Sequence, residues 1–122
     1  MFKIQKTMEI SASHRLNLDY DSPCKNLHGH NYVITVYLKA NSLNHNGMVI
    51  DFTEIKKRVH DFFDHKHIND LVQYNPTAEN MAYQIATSLD VNRTVADQER
   101  GLHCYRVDVE ETKNNIATWE DD

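Results

Sequence analysis

The sequence predicts an α+β domain in which a four-stranded antiparallel sheet carries two helices on one face, in the order ββααββ. Three patterns lead to this. Apolar and polar residues alternate near both ends of the 122-residue chain, helical spacing recurs in the middle, and turn residues separate the pieces.

Along residues 2–12, Phe2, Ile4, Met8, Ile10 and Ala12 share one parity, and Lys3, Gln5, Thr7, Glu9 and Ser11 share the other. That is the period of a half-buried strand, ending close to His14. Residues 15–27 hold Asn, Asp, Ser and Pro23, a loop that delivers Cys24. A second strand spans about 28–40, where Tyr32, Val33, Ile34, Thr35, Val36 and Tyr37 suit a pleated surface. The turn from Asn41 to Gly47 lets the two strands pair antiparallel.

Asp51 is positioned to cap a first helix, with Glu54 three residues on to complete a capping box. Phe52, Ile55, Val59, Phe62 and Phe63 recur at helical spacing while Lys56, Lys57, Arg58 and Asp61 take the other face. This helix should end near Asp64-His65-Lys66-His67. Thr77 caps the second helix, whose buried stripe is Met81, Ala82, Ile85, Ala86 and Leu89. Residues 90–101 are polar and read as a mobile connection. His103–Thr112 alternates again, and Lys113-Asn114-Asn115 turns into a last strand, Ile116–Trp119. Such a sheet has two open edges, which sister subunits could close.

Residues 1–122 read as one domain, large enough for a real core. A net charge of -5 argues against a general nucleic-acid surface, although a few basic groups could still dominate one anion pocket. No apolar run reaches membrane-spanning length, and the N-terminus lacks a signal-peptide core. Two Cys without a secretion signal point to free thiols in a reducing compartment, hence the cytoplasm.

The chemistry concentrates in Cys24-Lys-Asn-Leu-His28-Gly-His30-Asn-Tyr32. On a strand, His28 and His30 leave the same face, and Gly29 between them removes bulk from the other. His14 supplies a third imidazole, and three nitrogens with an open position describe a catalytic zinc site. Cys24 is either a general base or nucleophile beside the metal, or a fourth ligand closing a structural site. Asp64-His65 could be a proton relay or only a charged helix end. One of Glu110 and Glu111 can point into a site while the other is solvated. Glu79 stands in a first helical turn, where a carboxylate is favoured regardless of function. His45, His60, His67 and His103 read as surface or structural, and Cys104 as a small buried residue.

Ser13-His14-Arg15, Cys24-x3-His28-Gly29-His30-Asn31, Gly47-Met-Val-Ile-Asp51-Phe52, Asp64-His65-Lys66, Pro76-Thr77-x-Glu79-Asn80 and Glu111-Thr112 follow one another in order. Over about residues 8–119 this resembles the 6-pyruvoyltetrahydropterin synthase / 6-carboxytetrahydropterin synthase family. The resemblance implies the tunnelling fold, with subunits joined edge to edge as a trimer or a hexamer of two trimers. It implies His14, His28 and His30 as ligands of one zinc per subunit, and Cys24 as the base that moves side-chain protons. Asp64 and His65 would complete a relay, and Glu111 would anchor the amino-pyrimidine edge of a pterin. Thr77 and Glu79 would line the pterin pocket, partly from a neighbouring subunit. The implied substrate is 7,8-dihydroneopterin triphosphate. The three-residue gap after Cys24 is similar to the bacterial 6-carboxy enzymes of the queuosine route, whereas Val95–His103 stands out as a variable loop.

Overall fold

The strands β1 (Phe2–His14), β2 (His28–Ala40), β3 (Lys66–His67), β4 (His103–Thr112) and β5 (Asn115–Glu120) form one sheet in the order β3-β1-β2-β4-β5. The computed structural model describes residues 1–121. β1 and β2 pair antiparallel along their whole length, from Phe2 opposite Ala40 to His14 opposite His28. Successive side chains on a strand leave opposite faces, so one parity of each strand builds the core. Met8, Ile10 and Ala12 from β1 meet Tyr32, Ile34, Val36 and Leu38 from β2, and all are buried.

The four long strands are those the alternation predicts. The fifth, β3, is parallel to β1 and covers its edge only at Ala12 and Ser13. Two residues offer no periodicity, so nothing in the sequence announces it. The rest of that edge, from Phe2 to Ile10, and the outer edge of β5 have no partner strand among the described residues.

The first helical segment comes in two pieces, α1 (Phe52–Arg58) and α2 (His60–Phe63), because Val59 leaves helical dihedrals at φ -113 and ψ -66 while its side chain stays in the core. The Asp51 carboxylate accepts from the Thr53 amide as a cap, but the reciprocal bond expected of Glu54 is not made. Glu54 faces Lys57 and Arg58 instead, each 3.8 Å away. The helix α3 (Ala78–Val91) is capped by the Thr77 hydroxyl and buries Met81, Ala82, Ile85, Ala86 and Leu89 as its spacing predicts. It packs on β4 and β5, while α2 packs on β1.

The connection over 90–101 is ordered, which corrects the expectation of a mobile segment. α3 runs on to Val91, and α4 (Val95–Glu99) follows with a full capping box between Thr94 and Asp97. Arg100 then ties the turn down, donating to the carbonyls of Ser42 and Val49 and to Asp97. One helical turn and a half carries too few apolar positions to register as a period. Gly101 closes this connection at φ +70, where a side chain would strike the Asn41 amide at 2.7 Å. No helix of the described residues is long and apolar enough to cross a membrane.

Two irregularities in β4 bear on function. Tyr105 is an extra residue between Arg106 opposite Tyr37 and Cys104 opposite Leu38, which puts Cys104, Val107 and Val109 all in the core. Glu111 is an extra residue between Glu110 opposite Ile116 and Thr112 opposite Asn115.

Ile34 is wholly buried whereas Val91 is 80% exposed. Truncating Ile34 to Ala should lower the unfolding free energy by about 2–5 kcal/mol, and Val91→Ala should stay within about 0.5 kcal/mol. Urea titration of the two variants against the parent checks this.

Candidate metal centre

The antiparallel register sets His14, the last residue of β1, opposite His28, the first of β2. Both have the core-facing parity, as do His30 and Tyr32 further along β2. The three imidazoles therefore converge under the helix-covered face at one end of the sheet. Their ring centroids lie 4.6–5.1 Å apart, each pair edge to face. The β4 irregularity sends Glu111 to the same place, and one donor atom from each of His14, His28, His30 and Glu111 falls within 4.8 Å of all the others. Gly29 is exposed on the opposite face, where an added Cβ would make only ordinary contact, 3.5 Å from the Ala12 carbonyl. Local room is not what requires the glycine.

Hydrogen bonds decide where the ring protons sit. His14 Nδ1 is 2.9 Å from the Pro76 carbonyl, and His28 Nδ1 is 2.7 Å from the Asn26 carbonyl. A carbonyl oxygen only accepts, so both Nδ1 atoms carry the hydrogen, and in the neutral ring Nε2 is then a bare lone pair. These two Nε2 atoms face one another at 3.0 Å. His30 Nε2 is buried without a hydrogen-bond partner, although Glu111 Oε1 lies 3.0 Å away, and Glu111 Oε1 is also 3.8 Å from His14 Nε2. The lone pairs of His14 and His28, the His30 imidazole and a carboxylate turned toward one point fit a bound cation. Three imidazole nitrogens and one oxygen are a donor set for a divalent metal, and the site can hold one.

Burial lowers the proton affinity of His14 and His30, in each case as the largest cause, and the Glu111 carboxylate opposes it. Both rings are thereby kept in the neutral form that metal binding needs. Cys24 is outside this group of donors. It sits half-buried in a single turn of 3-10 helix, Pro23–Lys25, whose Cys24 carbonyl accepts from the Leu16 amide at 2.8 Å. The closed four-ligand site with Cys24 that the sequence left open is not formed.

Asp64 and His65 lie against the edge of β1 at Ser11, immediately before β3. Asp64 Oδ1 accepts from the Ser11 amide at 2.9 Å, and the His65 amide donates to the Ser11 carbonyl at 2.6 Å. That clamp holds His65 at φ +57, in the left-handed region, a conformation that costs a non-glycine residue on the order of 1–3 kcal/mol and persists only where its surroundings enforce it. His65 Nδ1 donates to Asp64 Oδ2 at 2.8 Å while the ring stays 82% exposed, which leaves Nε2 bare and outward. The Ser11 amide, and then His65, hold the Asp64 carboxyl below the usual carboxylate range. The carboxylate thus orients the imidazole. His65 and His30 share a cleft of about 470 Å³ with Ser11, Ser13, Gly29 and Asn31. Cys24 makes no hydrogen bond to Asp64 or His65 among the described residues.

Glu111 and Glu79 line a second cleft of about 440 Å³, with Asn115 and Thr118 on its β5 side. Thr77 is not in its lining, and the Thr77 hydroxyl is engaged by the Asn80 amide at 3.1 Å. His45 is exposed, His60 bonds Asp61, His67 bonds Ser13, and His103 bridges Asp90 and Asp121, all away from the metal group. Sequence reasoning missed that Glu111 joins the imidazoles, and that the Pro76 and Asn26 carbonyls and Tyr32 attend them. Parity along β2 could have found Tyr32. Backbone carbonyls from loops leave no sequence signal.

A central sheet with helices on one face carries, at its end, a three-histidine, one-carboxylate group that could hold a metal ion, the scaffold of an α+β protein. The sequence profile of the 6-pyruvoyl tetrahydropterin synthase family matches residues 3–122, and the chain belongs to that family of enzymes. It is 27% identical to the 6-carboxy-5,6,7,8-tetrahydropterin synthase of Bacillus subtilis, over 97% of this chain and 84% of that one. The enzyme of the same name from Rickettsia conorii is 33% identical over 73% of this chain and 80% of its own. Among solved structures, the 6-pyruvoyl tetrahydropterin synthase of Caenorhabditis elegans superposes with a TM-score of 0.74 at 28% identity, covering 99% of this chain and 96% of that one.

Burial makes the folded state hold fewer protons on His14 and His30 than the unfolded chain does near and below the ordinary value of 6.5. Stability therefore rises with pH through that region and is lost as pH falls. The urea midpoint of the metal-free protein should drop between about pH 7.5 and about pH 5.5, with a shallower drop in His30→Gln. A slope unchanged by that substitution would contradict the assignment.

Proposed function

We propose that this chain is a zinc-dependent 6-carboxytetrahydropterin synthase. It converts 7,8-dihydroneopterin triphosphate to 6-carboxy-5,6,7,8-tetrahydropterin, with loss of triphosphate and acetaldehyde, in queuosine (7-deazapurine) biosynthesis in the cytoplasm. The single observation that carries the reading is the convergence of three imidazoles, from His14, His28 and His30, on one point in a chain of this family. The 6-carboxy product follows the names of the Bacillus subtilis and Rickettsia conorii relatives. The Caenorhabditis elegans structure favours a 6-pyruvoyl product as the second reading.

His14, His28 and His30 would hold the zinc, because three neutral imidazoles with an oxygen in the fourth position make a catalytic shell. When bound, zinc supplies Lewis acidity, polarising the substrate's side-chain oxygens. Cys24, free of the metal group, is the base for the side-chain protons, and the Asp64–His65 dyad shuttles protons through the bare His65 Nε2. Glu111 anchors the pterin from the second cleft, where its carboxylate can accept two parallel N–H bonds from the amino-pyrimidine edge. Glu79 lies beside it, and Thr77 acts on the pocket by capping the helix that presents Glu79.

The dyad lies on a strand edge that is mostly free, and within one chain it does not bond Cys24. Both features support an assembly in which active sites form at subunit junctions of a trimer or hexamer, with no nucleic acid or membrane as partner.

Product analysis after incubating the zinc-loaded protein with 7,8-dihydroneopterin triphosphate tests the reading. 6-Carboxytetrahydropterin and acetaldehyde are expected, and a 6-pyruvoyl product would establish the second reading instead. Cys24→Ala should lower turnover by about 100-fold or more while zinc stoichiometry stays at one. Zinc loss from that variant would return Cys24 to the metal shell. Glu111→Gln should weaken equilibrium pterin binding by on the order of 2–5 kcal/mol, and unchanged affinity would exclude Glu111 as the anchor.

A further inference from the structure

We propose that Tyr32 is a positioning residue for the metal site, its buried phenol acting with the Pro76 carbonyl to fix the His14 imidazole with Nε2 toward the metal. The proposal rests on the metal reading above.

Tyr32 is wholly buried on β2, two residues beyond His30 and on the same face. Its hydroxyl oxygen is 3.1 Å from His14 Nδ1, the atom that also faces the Pro76 carbonyl at 2.9 Å. Its ring meets His14 and His30 edge-on, with centroids 5.8 and 5.5 Å apart at 87° and 83°. His14 is thus held by two groups on the side away from the other imidazoles and by an aromatic edge.

The ring alone would satisfy packing, and a phenylalanine would fill the same space. The hydroxyl has no hydrogen-bond partner but His14 among the described residues, and because Nδ1 carries the hydrogen, the phenol oxygen accepts there, sharing that N–H with the Pro76 carbonyl. A buried polar group with a single partner, when that partner is a metal ligand, is the arrangement by which outer groups orient ligands. The need is specific to His14. A half-turn of the imidazole about its Cβ–Cγ bond swaps Nδ1 with Cδ2 and Nε2 with Cε1, so the opposite orientation would break the bond to Pro76 and put a C–H where the metal-facing nitrogen stands. The Pro76 carbonyl comes from the loop ahead of α3, whereas Tyr32 comes from the neighbouring strand. Motion of that loop alone therefore does not release the ring.

The test is Tyr32→Phe in the full chain, with zinc affinity measured by chelator competition. The expected result is weakening of about 10- to 100-fold, with an altered absorption spectrum of the cobalt-substituted protein and a similar melting temperature of the metal-free form. Val36→Ala, which opens the same buried strand face without touching His14, should lower the melting temperature but leave zinc affinity unchanged. In the parent protein, nitrogen NMR of the zinc-loaded form should find His14 protonated at Nδ1, a readout that does not depend on the variant folding. Equal zinc affinity of Tyr32→Phe and the parent would overturn the proposal, as would an Nε2 proton on His14. A parent protein that binds no zinc would overturn the metal reading and this inference together.

Discussion

The site depends on the bonds from His14 and His28 to the Pro76 and Asn26 carbonyls. A backbone carbonyl offers only lone pairs, so it dictates which imidazole nitrogen keeps the hydrogen. With Nδ1 committed to loops on both sides, the sheet register turns the two Nε2 atoms toward each other at 3.0 Å. Buried acceptors without donors cost on the order of 1–3 kcal/mol apiece. A cation held among these groups would offset that cost. Binding to the metal and stability of this end of the sheet are coupled for that reason.

The same bonds tie the site to the rest of the fold. Pro76 stands immediately before Thr77, which caps α3, so the helix and the end of β1 share one short segment. Glu111 enters from the other side through an irregularity in β4, which adds a residue just where the strand passes the imidazoles. A β-bulge re-aims a side chain without ending the strand. The carboxylate can thus serve the metal group and the cleft beside β5 from one position. Desolvation of the imidazoles and attraction from Glu111 act in opposite directions on His14 and His30, and desolvation prevails. The rings stay neutral and available as ligands.

The acid–base groups are distributed differently. The metal group lies under the helices, while Asp64 and His65 lie against the edge of β1, held by the two backbone groups of Ser11. His65 is strained in its backbone and exposed in its side chain, so packing of its own ring does not explain the strain. An edge strand with free amides and carbonyls is also the place where another chain can pair.

The sequence by itself determined the four long strands, the capped helix α3, the core-facing parity of β1 and β2, and the histidine trio. Each of these rests on a local period or a short motif, and alternation along a strand decides which side chains share a face. Only the tertiary structure decided that Glu111 joins the imidazoles, because a bulge breaks the very alternation from which its direction would be read. It alone decided that 90–101 is ordered, through Arg100 reaching carbonyls more than fifty residues away in sequence, and that β3 lies along β1. The protons of His14 and His28 were likewise beyond the sequence, since the carbonyls that hold them belong to loops whose path is set by packing and leaves no residue pattern.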